Sequence, residues 1–109
     1  MASGKRVLKV VISPQADNEL DEIYRYNVKN RGLAAADRYI QFLHEKIESL
    51  AVEYNMGKPI ESRPDLLYIL MKPRSAGDGH LAVYKINYAA ATVEIWFVFH
   101  TKQDWANKL

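Results

Sequence analysis

Histidines and a scatter of cations are the residues of this 109-residue chain that could move protons or stabilise phosphate charge. RNA cleavage by 2′-hydroxyl attack needs a base, an acid for the leaving oxygen, and cations for the phosphorane charge. His80 and His100 are the candidates for proton transfer; Lys72, Arg74, Lys85 and Lys102 are the candidates for charge. No tyrosine follows Tyr88, and the segment Thr101–Trp105 offers one cation, Lys102. A catalytic role for this set therefore ranks below a binding role. His100 has two readings. It can contact a substrate or target, or it can pack at a strand end and hydrogen-bond the tail through Asp104; the second ranks first. His80 reads as an exposed residue at a strand start, and His44 as a surface residue. Without cysteine or a His-x-x-x-His pair there is no case for a metal, a thiol nucleophile or any cofactor.

The elements that must position these residues follow from periodicity. His80–Tyr88 and Thr92–His100 are aromatic and β-branched, and predict an antiparallel hairpin. Val7–Ile12 predicts a first strand. Ser13-Pro14 predicts an N-cap followed by a first helical turn, with a helix over Pro14–Arg31 that Gly32 stops. A second helix is expected over Leu33–Tyr54, closing an αα-hairpin. The stretch to Asp65, with two prolines, reads as a loop. Leu66–Met71 is nearly all apolar and reads as a central strand covered on both faces. Lys72–Gly79 is a loop. The order β-α-α-β-β-β with a short tail is α+β, a mainly antiparallel sheet with both helices on one face. Strict alternation puts Val93, Ile95, Phe97 and Phe99 toward the helices, and Glu94, Trp96, Val98 and His100 on the open face. The expected core is Leu20, Ile23, Ile40, Leu43, Ile47, Leu70, Ile95 and Phe97.

Composition sets outer bounds. One domain accommodates residues 1–109. Met1–Arg6 lack the apolar centre of a signal peptide and are given no function; disorder is the expectation there. A net charge of +2 and a pI near 8.8 are too mild to imply nucleic acid. No apolar run reaches the ~18 residues of a membrane span. The absence of cysteine fits a reducing, cytoplasmic setting.

Ser13-Pro-Gln-Ala-Asp-Asn-Glu-Leu-Asp-Glu-Ile23, Ala34-Ala-Ala-Asp-Arg-Tyr39, Met56-Gly-Lys-Pro59, His80-Leu-Ala-Val-Tyr-Lys85 and Val98-Phe-His-Thr-Lys-Gln-Asp-Trp105 occur in this order. Together they resemble the ParE/RelE toxin superfamily, and most closely its ParE-type members, over about Val7 to Trp105. Two features depart from the family pattern: Thr101-Lys-Gln103 is less basic, and the Lys72–Gly79 loop is longer. The resemblance implies a RelE/ParE-like fold and a cytoplasmic, plasmid-stabilising toxin of a type II toxin–antitoxin system. Its partners would be a cognate antitoxin, in a hetero-oligomer, and DNA gyrase, with no membrane and no sequence-specific nucleic-acid binding. His100, Lys102, Asp104 and Trp105 would meet the target; Trp96, Tyr84 and Tyr39 would meet the antitoxin. The alternatives are a RelE-type ribosome-dependent mRNA interferase, using His100, His80, Arg74, Lys85 and Lys102, and a non-toxic member that only binds its antitoxin.

Overall fold

The computed structural model describes residues 6–74 and 77–109. Strand β1 (Lys9–Ile12) leads into helix α1 (Pro14–Arg31) and helix α2 (Leu33–Glu48). A one-turn helix α3 (Leu50–Glu53) and a 3₁₀ turn at Tyr54–Met56 follow. Then come β2 (Lys58–Ile60), β3 (Arg63–Met71), β4 (His80–Asn87), β5 (Thr92–His100) and a terminal 3₁₀ turn, Trp105–Lys108. The sheet order is β1-β5-β4-β3-β2; β1 runs parallel to β5 and every other pair is antiparallel. The expected α+β class holds.

Local chemistry explains the helical half. Ser13 Oγ accepts the Ala16 N–H at 3.0 Å, with Pro14 at the first helical position. Gly32, at φ +92°, ends α1 and opens α2 in a backbone region that side chains disfavour. The second helix is shorter than expected. It ends at Glu48, where Ser49 Oγ turns back to donate to the Lys46 carbonyl at 2.6 Å.

Three expectations for the sheet are corrected. The stretch read as a loop contains β2, which pairs antiparallel with β3 across a bulge at Pro59/Ile60; an edge position tolerates the missing proline N–H. β4, not β3, is the middle strand, and Leu70 is 50% exposed where core was expected. The alternation of β5 also breaks. Val83 pairs with Phe97 but Tyr84 pairs with Ile95, which leaves Trp96 as an inserted residue. Beyond this bulge the faces exchange. Val98 joins Val93 and Ile95 beneath the helices, whereas Phe97 and Phe99 turn to the opposite face.

The described residues therefore form two apolar clusters. The larger lies between helices and sheet and includes Leu20, Leu43, Ile47 and Tyr84. The smaller is built on Ile60, Leu66, Leu81, Val83 and Phe99 on the other face, with Trp96, Trp105 and Leu109 packed against it. Ile23 and Ile40 pack at the margin of the first cluster.

Candidate functional site

The parallel strand β1 stops at Ile12, opposite Ile95, so the next stretch of β5 has no strand on the edge away from β4. Helix α1 takes over that edge. The Ser13 N–H donates to the Ile95 carbonyl at 2.9 Å and Ser13 Oγ donates to the Trp96 carbonyl at 3.0 Å. Glu19 Oε1 accepts the Val98 N–H at 2.7 Å. These bonds hold the bulge, and the bulge turns His100 toward the helix side.

There His100 lies directly opposite His80 in the β4–β5 register, with ring centroids 5.0 Å apart at 86°. Tyr39, from α2, places its hydroxyl 2.6 Å from His80 Nδ1. Burial, with a smaller contribution from His100, pushes His80 down to about 4, so the ring is neutral near pH 7. Burial also raises Tyr39, against the opposing influence of nearby Arg31. His100 Nδ1 accepts the Lys102 N–H at 3.1 Å, which places a neutral ring's proton on Nε2. The structural reading of His100 is thus right about the tail and wrong about the partner: Asp104 instead accepts from Asn107 at 2.7 Å.

The nuclease set does not converge. His80 and His100 share the helix side, whereas Lys85 sits on the other face, its Nζ 5.9 Å from the Trp96 ring. Lys102 pairs with Asp78 at 3.2 Å. Arg74 lies across the loop, beside Arg31 and Arg38, lining a cavity of ≈ 470 Å³. Both of those arginines escaped the sequence reading, because only the fold brings the hairpin and the loop together. Lys108, also passed over, lines a groove with Glu19, Glu22 and His100. Among the described residues no group of three or more His, Cys, Asp or Glu is placed to hold a metal. None of their helices is long and apolar enough to cross a membrane.

The expected contact residues divide similarly. Trp105 docks on Tyr68, ring centroids 5.0 Å apart, so the tail covers part of the face expected to be open. His100 and Trp105 lie on opposite faces and form no single patch. Trp96 is half-buried, with Arg63 and Lys85 within cation–π reach of its ring. Tyr84 is 0% exposed and cannot meet a partner. Its hydroxyl donates to the Tyr54 carbonyl at 2.7 Å and accepts the Gly57 N–H at 3.0 Å. Gly57 is required there, since a Cβ would run into that hydroxyl. Of the three residues assigned to the antitoxin, Tyr39 and Trp96 keep accessible surface.

This arrangement of hairpin, mixed sheet and docked tail has known counterparts. A chain from the chromosomal ParDE TA system of P. aeruginosa superposes with a TM-score of 0.74 and 16% sequence identity, covering 88% of this chain and 98% of that one. At that identity the likeness establishes a shared fold. No curated protein matches the sequence. The family described as the ParE toxin of type II toxin–antitoxin system, parDE, matches residues 10–105, from β1 through the docked tail. The chain belongs to the ParE toxin family of type II toxin–antitoxin systems.

Proposed function

We propose that this chain inhibits DNA gyrase, that a cognate antitoxin neutralises it, and that it acts in the cytoplasm without chemistry of its own. Family membership over residues 10–105 supports a toxin held by an antitoxin. The observation that favours this reading over a ribosome-dependent nuclease is the dispersal of the candidate nuclease groups. Lys85 is on the far face, Lys102 is paired with Asp78, and His80 is neutral with Nδ1 tied to Tyr39. A phosphorane needs an acid and several cations converging on one point.

The adjacent His80, His100 and Tyr39 rings are the one feature that favours mRNA cleavage, and they define the second reading. Controlled expression without antitoxin separates the two. The gyrase reading expects a DNA-damage response and filamentation while translation continues at first. Early arrest of translation, abolished by His100→Ala, supports the nuclease. Normal growth at full expression supports a member that only binds its antitoxin.

A further inference from the structure

Between α1 and the His80–His100 end of the sheet lies a cavity of ≈ 640 Å³. Ile23, Tyr26, Tyr39 and Pro73 give it apolar walls, and few polar groups interrupt them. That is the usual make-up of a small-molecule site. One of those polar groups is buried and unsatisfied. Asn27 is 6% exposed, and its Nδ2 donates to the Ile23 carbonyl at 2.9 Å. A carbonyl can only accept, so the amide cannot be turned round, and Oδ1 points away from the helix backbone. Among the described residues nothing donates to Oδ1, yet it is not sealed from solvent; it opens into the cavity. A buried acceptor of this kind calls for a donor.

The charge on the lining says which donor. Glu22 stands five residues before Asn27, about 7.5 Å along the helix axis. Its carboxylate has no ion pair or side-chain hydrogen bond among the described residues. An ammonium, with three N–H donors, bridges such a gap through a hydrogen bond to each side chain. Burial pushes His80 down to about 4, so near pH 7 that ring adds no opposing charge. The only Lys or Arg on the lining is Arg31, nine residues from Glu22. That is about 13.5 Å along the axis, beyond the ~8 Å screening length of physiological salt. The Tyr26, Tyr39 and His80 rings offer faces to a cation and contact to an apolar stem. A carboxylate or phosphate would instead meet Glu22 and Asp78. A metal ion would lack ligands, since no group of three described side chains is placed to hold one.

We propose that this cavity binds a small organic amine, its ammonium between Glu22 and the Asn27 amide oxygen and its apolar body against Tyr26, Tyr39 and Pro73. The chemistry of the cavity is independent of what the toxin targets. NMR titration of the full chain with phenylbutylamine tests it. Saturable shifts should appear at the amides of Glu22 to Arg31 and of His80. Phenylbutanol and phenylbutyrate, which keep the body and change the head, bind at least about threefold more weakly. Glu22→Gln, on the exposed side of α1, weakens the amine about threefold or more. Asn27→Leu does the same, with circular dichroism checking its fold. Glu48→Gln, which removes the same charge from the exposed end of α2, leaves binding unchanged. The proposal is overturned if no saturable shift appears up to about 10 mM amine, the weak end of small-ligand affinity. Equal binding of phenylbutanol, tighter binding of phenylbutyrate, or an unaffected Glu22→Gln overturns it as well.

Discussion

At the residue scale the fold depends on polar side chains that satisfy distant backbone groups. Tyr84 was legible as an aromatic on a strand, and that is where sequence reasoning misplaced it as a contact residue. Its hydroxyl partners, Tyr54 and Gly57, are remote in sequence, so nothing local shows that it is buried. Tyr84→Phe removes the acceptor of the Gly57 N–H and the donor to the Tyr54 carbonyl. It should cost about 1–3 kcal/mol in urea unfolding, the usual penalty for stranding buried polar groups. The His80–Tyr39 pair was equally invisible, although each residue had been singled out. Here pH is the probe. The folded pKa of about 4 lies below the ordinary 6.5, so the unfolded chain binds more protons between these values. Stability contributed by neutral His80 is complete above about pH 6.5 and falls as pH drops toward about 4. Unfolding free energies measured across this window should show a slope that is shallower in His80→Gln.

Among the elements, the helices were the most legible. Ser13-Pro14 and Gly32 fix α1 to the residue, because capping and positive φ are local demands. The second helix was read too long, since the apolar stripe continues through Leu50 and Tyr54 after Ser49 has broken the helix. Strand β2 was missed because Lys58-Pro-Ile60 has no strand signature of its own and exists by pairing with β3. The bulge at Trp96 was the costlier omission. Period-two patterning cannot register an inserted residue, so Phe97, Phe99, Val98 and His100 were each assigned to the wrong face. Because Glu19 closes that bulge through the Val98 N–H, Glu19→Ala should destabilise the chain by about 1–3 kcal/mol. Hydrogen exchange should show faster exchange at Val98, with little change at β3.

For the whole molecule, the tail is part of the fold. Trp105 and Leu109 pack on the second apolar cluster, and the Thr101 N–H donates to the Gly79 carbonyl at 3.0 Å. Removing Lys102–Leu109 therefore exposes Tyr68 and its neighbours rather than leaving the core intact. Trp105→Ala should cost about 1–3 kcal/mol, less than a fully buried tryptophan, and thermal unfolding will measure it. Tests of target contact belong instead on exposed Lys102 and Asp104, whose truncation leaves this packing in place. Their clearest use is with purified gyrase, supercoiled plasmid and ATP, scoring linear DNA after protein digestion. We expect the wild-type chain to cause gyrase-dependent accumulation of cleaved plasmid, reduced in Lys102→Ala and Asp104→Ala without loss of fold. Unchanged gyrase activity at saturating chain, together with His100-dependent cuts in ribosome-bound mRNA, would contradict the account.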